Sequence, residues 1–127
     1  MEKTAIIIDD DNLSISLLKI TINSIGIEIK GIANDATTGL ELASEMQPTI
    51  VFLDINLPQK SGVEVIEDLL KACPESKIIM ISGEASRTLF EKSMELGADS
   101  YLSKPFNINE IKARVNDVLT LPEEKAF

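Results

Sequence analysis

Five short apolar runs alternate along the chain with longer stretches of mixed polarity. The first run, Thr4–Ile8, is rich in β-branched residues and apolar on both faces, which is typical of a strand buried on both sides of a parallel sheet. The second run alternates apolar with polar residues, as a half-exposed edge strand does. The predicted strands are Thr4–Ile8, Ile27–Ile32, Thr49–Leu53, Lys77–Ile81 and Ser100–Leu102.

The stretches between these runs predict helices. Apolar residues recur in them at helical spacing, and Gly or Pro stands at most of their carboxyl ends. In the first stretch Leu13, Ile15 and Leu17 also fit strand alternation, but its length and the terminal Gly26 favour a helix. The predicted helices are Leu13–Ile25, Thr37–Met46, Val63–Cys73, Arg87–Leu96 and Asn107–Leu119, the last with Asn107 as N-cap.

This alternation of strands and helices predicts an α/β fold, a doubly wound parallel sheet with helices on both faces. A chain of 127 residues suits one such domain, which we place at residues 1–121, with 122–127 as a short tail. The sequence contains no signal pattern and no apolar run long enough to cross a bilayer. We therefore expect a cytoplasmic protein that does not bind membranes and has no output domain.

The charge and composition argue against several classes of function. The formal net charge of −9 opposes binding to nucleic acids and anionic membranes, whose phosphates are also negative. The chain has no histidine, which removes histidine-dependent catalysis, histidine metal sites and a role as phosphohistidine donor. The single cysteine, Cys73, allows neither an intramolecular disulfide nor a cysteine-rich zinc site.

Polar residues follow the carboxyl ends of four predicted strands. The run Asp9–Asp11 follows the first strand, Asp54 the third, Ser82 the fourth and Lys104 the fifth. Folds of this class bind ligands at the carboxyl ends of their strands, so these side chains are expected on one rim. Within the run, Asp11 is expected to cap a helix or to be solvated rather than to bind a metal.

The predicted rim has a chemistry of its own. Grouped carboxylates repel one another in a partly desolvated cleft, and a hard divalent cation such as Mg²⁺ offsets this repulsion. A cation, a lysine and a hydroxyl around a carboxylate form an electrostatic cradle for a phosphoryl group. Asp54, at the end of the central strand, is the candidate nucleophile, because carboxylates accept phosphoryl groups as acyl phosphates.

The segments that carry this rim resemble the receiver domain of two-component response regulators, in a single-domain member. The resemblance covers nearly the whole chain. It also implies the strand order 2-1-3-4-5 with five helices, since the chemotaxis regulator of that family has this order. The matching segments are Ile7–Asp10, Leu53–Pro58 with Gly62, Ile81–Glu84 and Gly97–Phe106.

The resemblance implies how the acidic residues act. Asp54 would accept a phosphoryl group from a phosphohistidine of a sensor histidine kinase or a histidine phosphotransfer protein. Mg²⁺ (or Mn²⁺) would be bound by Asp10 and Asp54 directly and by the backbone carbonyl of Asn56. Asp9 would bind it mostly through water. Asn56 and Glu84 would tune hydrolysis of the acyl phosphate.

The resemblance also implies how the signal is passed on. Lys104 would pair with one phosphoryl oxygen, Ser82 would hydrogen-bond another, and Tyr101 would then turn inward. The Lys104-Pro105 bond would be cis. Partners would read the face made by the fourth helix, fifth strand and fifth helix. Ser82 stands where threonine is commoner, and Gly83 would leave the phosphoryl group less shielded; both would change its lifetime.

Two other functions compete with this signalling role. A phosphatase of the haloacid-dehalogenase type also uses an aspartyl nucleophile, but it usually carries a second acid two residues further on, where this chain has Asn56. A receiver-like interaction module that is never phosphorylated would normally have lost Asp10, Asp54 or Lys104, and all three are present. We therefore expect a phosphoacceptor signalling protein rather than an enzyme.

The first helix carries more apolar residues than packing on one side of a sheet requires. Leu13, Leu17 and Ile20 add a second apolar side. One hypothesis is that Ile15 or Ile20 contributes to a docking surface for the kinase or phosphotransfer protein; the alternative is ordinary exposed apolar residues. The sequence does not identify the kinase, the target, or a chemotaxis, phosphorelay or phosphate-sink role. It does not tell whether the chain is a fragment, and we expect a monomer or weak dimer.

Overall fold

A computed structural model describes residues 2–58, 60–83 and 87–120. The described chain forms a parallel five-stranded sheet in the order β2-β1-β3-β4-β5, as predicted. The strands are β1 Thr4–Ile8, β2 Glu28–Ala33, β3 Ile50–Asp54, β4 Lys77–Ser82 and β5 Ser100–Ser103. The helices are α1 Asn12–Ser24, α2 Ala36–Met46, α3 Gly62–Ala72, α4 Arg87–Leu96 and α5 Ile108–Leu119.

The sheet separates two apolar core layers. Successive residues of a strand point to opposite faces, so Ile7 packs with α1 and α5, whereas Ile6 and Ile8 pack with α2 and α3. Phe52 and Leu53 of β3 are fully buried, one in each layer. Burying one such side chain contributes roughly 1.5–3 kcal/mol. The two layers therefore hold the strand ends in fixed relative positions.

Four strands, β2 to β5, extend one residue beyond their predicted ends, and at two of them the added residue belongs to the predicted rim. β3 includes Asp54 and β4 includes Ser82. Asp54 is paired with Ile81 in the parallel ladder, because main-chain pairing continues past the last apolar side chain. These two polar residues are therefore held by the sheet itself rather than by the loops that follow.

Side-chain caps begin most helices in the described part of the chain. Asp11 caps α1, as predicted. At α5 the Asn107 side chain accepts the Glu110 N–H at 2.8 Å, and the Glu110 carboxylate accepts the Asn107 N–H at 3.2 Å, which makes a capping box. The four N-caps are Asp11, Asp35, Ser61 and Asn107.

The structure corrects one prediction about α1. Ile15 is buried between α1, the sheet and α5, so the hypothesis that it forms part of a docking surface is wrong. Ile20 is 64% exposed and Leu13 is 80% exposed, so an apolar outer side of α1 exists without Ile15. Within the described residues, no helix is long and apolar enough to cross a membrane. The predicted tail, 122–127, lies outside the described residues.

Replacing Asn107 by Ala should lower the free energy of unfolding by about 1 kcal/mol, because the Glu110 N–H loses its acceptor. Urea denaturation followed by circular dichroism measures this loss. Asn116 is exposed in the second half of the same helix and serves as the control. Asn116→Ala should change the free energy of unfolding by less than about 0.5 kcal/mol. Equal losses in both variants would contradict the capping role.

Candidate functional site

Polar side chains meet at the carboxyl-terminal edge of the sheet. Asp9 directly follows β1, Asp54 ends β3, Ser82 ends β4 and Lys104 directly follows β5. Asp9, Asp54 and Ser82 are almost completely buried. The N–H of Lys104 donates to the carbonyl of Ser82 at 2.7 Å, which fixes the chain after β5 beside the end of β4. The rim predicted from the strand ends therefore exists in the structure.

Three acidic residues of this rim form a cluster. Asp9, Asp10 and Asp54 each offer one carboxylate oxygen, and these oxygens lie within 4.8 Å of one another. Asp10 is exposed to solvent, while the other two are buried. Among the described residues, none donates a hydrogen bond to the buried Oδ2 of Asp9. A set of closely spaced carboxylate oxygens, one of them buried without a hydrogen bond, suits a hard divalent cation.

Lys104 supplies a positive charge to the same cluster. Its Nζ lies 3.4 Å from Asp9 Oδ2, 3.4 Å from Asp11 Oδ2 and 3.4 Å from Asp54 Oδ2. Burial by itself lowers the pKa of this ammonium. The neighbouring charges of Asp54, Asp9 and Asp11 together raise the pKa by more than burial lowers it, so the net shift is upward. Lys104 therefore stays protonated, and its one charge offsets only part of the negative charge around it.

The carboxyl group of Asp54 responds to this crowding. Burial, followed by a hydrogen bond with Asp9 and the negative charge of Asp9, raises the pKa of Asp54 to about 7. The backbone N–H of Asn56 donates to Asp54 Oδ1 at 3.1 Å and, together with Lys104, partly opposes this rise. Without a cation, the carboxyl group of Asp54 is therefore protonated in a large fraction of molecules near neutral pH.

The loop after Asp54 is packed tightly against the strand that carries it. The Ile55 N–H donates to the carbonyl of Ile81 at 2.8 Å, and the Gly62 N–H donates to the carbonyl of Ile55 at 2.7 Å. A Cβ atom at Gly62 would collide with the carbonyl oxygen of Asp54. Only glycine lets α3 begin this close to the main chain of Asp54, which keeps the Asn56 N–H aimed at the carboxylate.

Comparison with known proteins identifies the family. A family model described as "Response regulator receiver domain" matches residues 5–116. The chain belongs to this family. It is 30% identical over 118 residues to the chemotaxis protein CheY of Thermotoga maritima, covering 93% of this chain and 98% of that protein. Two transcriptional regulatory proteins also match, and this receiver spans 53% and 51% of their lengths.

Solved structures show the same fold. A CheY-like response regulator receiver domain protein from Methanospirillum hungatei superimposes with a TM-score of 0.85 at 30% identity, covering 94% of each chain. A chain of the CheX-CheY-BeF3-Mg²⁺ complex from Borrelia burgdorferi has a TM-score of 0.88 at 23% identity, covering 94% of this receiver and 90% of that chain. The chain is therefore a CheY-like receiver of the two-component signalling proteins.

Four further features were predicted from the resemblance, and the structure describes three of them. The Lys104-Pro105 peptide bond is cis. Tyr101 is half-buried on β5, and its ring meets Phe90 of α4 edge-on with centroids 5.3 Å apart. No atom of the described residues lies within 4 Å of the point where a Cβ atom of Gly83 would stand. Glu84 lies outside the described residues.

Two features of the site were missed in the sequence. Asp11 was expected only to cap or to be solvated, yet its carboxylate also faces Lys104. No local signal reveals this contact, because the two residues are far apart in the chain. Phe90 lies in the predicted helix Arg87–Leu96 and has no role in the sequence analysis, because its contact with Tyr101 follows only from the packing of α4 beside β5.

Raising the pH from about 4 to 7 should destabilise the metal-free receiver. The pKa of Asp54 is about 7 in the folded protein against 3.8 ordinarily, so across this interval the folded state keeps a proton that the unfolded chain has lost. The stability therefore falls as the pH rises to about 7 and then levels off, by at most about 4 kcal/mol.

Urea denaturation of wild type and Asp54→Asn in the presence of a chelator, at a series of pH values, measures this effect. Asn carries no charge, so the variant should gain stability relative to wild type as the pH rises from 4 to 7. A difference between the two free energies of unfolding that stays constant with pH would contradict the raised pKa of Asp54.

Proposed function

We propose that this receiver accepts a phosphoryl group on Asp54 in a Mg²⁺-dependent reaction, from a phosphohistidine of a sensor histidine kinase or a histidine phosphotransfer protein. The main support for this proposal is the position of the buried Asp54 carboxylate. It lies in a cluster with Asp9 and Asp10, and its Oδ2 is 3.4 Å from the ammonium of Lys104. A nucleophilic carboxylate beside fixed positive charge is the arrangement that phosphoryl transfer needs.

The acidic cluster is the proposed cation site. Asp10 and Asp54 would bind Mg²⁺ (or Mn²⁺) directly, Asn56 through its backbone carbonyl, and Asp9 mostly through water. The buried Oδ2 of Asp9 faces the ammonium of Lys104 at 3.4 Å but accepts no hydrogen bond from the described residues, which supports a further positive group at this point. When bound, the cation neutralises charge on the phosphoryl oxygens. The Borrelia burgdorferi complex of the same fold contains Mg²⁺ and BeF3, which is consistent with this assignment.

The positions of the side chains support the proposed covalent step. A carboxylate oxygen of ionised Asp54 attacks phosphorus, the O–P bond forms, and the P–N bond to the donor imidazole breaks with its electron pair leaving on nitrogen. Asp54 Oδ1 accepts the N–H of Asn56, which orients the carboxylate. Lys104 would pair with one phosphoryl oxygen and oppose the negative charge that the new group brings.

The phosphoryl group would act on the opposite side of the rim through Ser82 and Tyr101. Ser82 would hydrogen-bond a phosphoryl oxygen and draw its loop toward Asp54. Tyr101 would then turn inward and leave its edge-on contact with Phe90. This couples the site to the face formed by α4, β5 and α5, which we propose as the surface that partners read. Tuning of hydrolysis by Asn56 and Glu84 stays a prediction.

Incubation with a small-molecule phosphodonor should add one phosphoryl group to the receiver in Mg²⁺. Intact-mass analysis with and without Mg²⁺ measures this gain, and Asp54→Asn is the control that should show none. No gain under any condition would contradict the proposal and favour a receiver-like interaction module. Repeated turnover of the phosphodonor at Asp54→Asn would instead indicate a different nucleophile.

The apolar outer side of α1 is the proposed docking surface for the phosphodonor protein. A groove of about 260 Å³ lies beside the rim, and Leu13, Leu17, Phe106 and Lys104 are among its lining residues. Asp54 is only 2% exposed, so a protein that brings a phosphohistidine to it must cover the rim and the groove next to it. The cytoplasmic location and the monomeric or weakly dimeric state stay predictions.

Changing Leu13 and Ile20 to Ser should slow phosphoryl transfer from a phosphorylated histidine phosphotransfer protein about tenfold or more, because contact area on α1 is lost. Phosphorylation by a small-molecule donor should stay unchanged, since that donor needs no docking surface. Ile32→Ser, at an exposed position on β2, is the matched control. Unaltered transfer to the double variant would contradict the docking role of α1.

A further inference from the structure

The ammonium of Lys104 has three carboxylate neighbours of different kinds. Asp9 and Asp54 belong to the acidic cluster that we propose as the cation site. Asp11 does not belong to that cluster, although its Oδ2 lies as close to Lys104 Nζ, at 3.4 Å. A cation in the cluster would satisfy Asp9 and Asp54 and would repel the ammonium. Asp11 would then remain as its uncommitted partner.

The carboxylate of Asp11 is held in place by its own contacts. Its Oδ1 accepts the N–H of Leu13 at 3.2 Å, and its Oδ2 accepts the hydroxyl of Ser14 at 2.7 Å. Its backbone N–H donates to Asp9 Oδ1 at 2.9 Å, which joins it to the cluster. Ser14 is buried, so the hydroxyl that orients Asp11 is itself fixed. The carboxylate therefore faces Lys104 without needing to be ordered first.

From this geometry we propose that Asp11 is a positioning residue that holds the ammonium of Lys104 at the rim of the site while a cation occupies the acidic cluster. Lys104 is then in place when a phosphoryl group arrives, instead of being driven toward solvent by the cation. This inference rests on the proposed function, because it assigns a task within the same phosphorylation step. It gives the N-cap of α1 a second role that capping alone does not require.

Asp11→Asn separates the two roles. Asn caps a helix as well as Asp: its Oδ1 can accept the Leu13 N–H, and its Nδ2 can donate to the Ser14 hydroxyl oxygen, but it has no charge for Lys104. At saturating Mg²⁺ we expect phosphorylation by a small-molecule donor to slow about two- to fivefold, the effect of losing a partly exposed ion pair. Asp35→Asn is the matched control, since Asp35 caps α2 and accepts the Thr38 N–H at 2.8 Å.

A double-mutant cycle shows whether Asp11 acts through Lys104. In a Lys104→Met background, Asp11→Asn should cause no further slowing, because the group that it positions is gone. Slowing of the same size in both backgrounds would overturn the proposal, and so would slowing by Asp35→Asn equal to that by Asp11→Asn. Ser14→Ala, which only loosens Asp11, should slow the reaction less than Asp11→Asn.

Carbon-13 relaxation of the Lys104 ε-methylene in saturating Mg²⁺ tests the inference without using phosphorylation. The order parameter should be high in wild type and Asp35→Asn and lower in Asp11→Asn. An unchanged order parameter in Asp11→Asn would overturn the proposal. If this difference is found but wild type gains no phosphoryl group, the positioning role stands and the proposed function fails, so the two failures are distinguishable.

Discussion

Repulsion among carboxylates at one edge of the sheet is the constraint on which the site depends. Asp9, Asp10 and Asp54 are brought together by the parallel strands, and the ammonium of Lys104 offsets only part of their charge. The raised pKa of Asp54 follows from its burial together with this crowding by Asp9. A cation that binds at this site stabilises the folded protein, because it reduces the repulsion among the carboxylates. Burial of Asp9 and Asp54 makes that repulsion stronger than it would be in water.

The two core layers make this crowding tolerable. Alternating side chains of β1 and β3 pack against helices on both faces, so the ends of these strands cannot separate to relieve the repulsion. The ladder between β3 and β4 also extends through Asp54, which fixes the main chain of Asp54 at the end of the sheet. Apolar burial far from the rim thus maintains an electrostatically unfavourable arrangement at the rim, as is common for functional sites.

Much of the fold could be predicted because the apolar runs differ clearly from the helical stretches, and parallel strands end at one edge. The predicted ends of β3 and β4 were one residue too early, because the main-chain pairing of these strands continues through the polar residues Asp54 and Ser82. Ile15 was considered beside Ile20 as a docking residue because helical spacing alone does not show how much of α1 is covered by α5. In the structure Ile15 belongs to the core that α1 shares with α5. The contact of Asp11 with Lys104 joins residues distant in sequence, so local pattern carries no trace of it.

Two glycines border the site, and they differ in the space that surrounds a possible side chain. At Gly62 a side chain would collide with the main chain of Asp54, whereas at Gly83 it would meet no atom of the described residues within 4 Å. Position 62 is therefore closed to substitution, since any side chain would displace the main chain of Asp54. Position 83 can accept a side chain. Under the proposed function, the lifetime of the phosphoryl group can thus diverge between lineages at this one residue while the rest of the architecture stays the same.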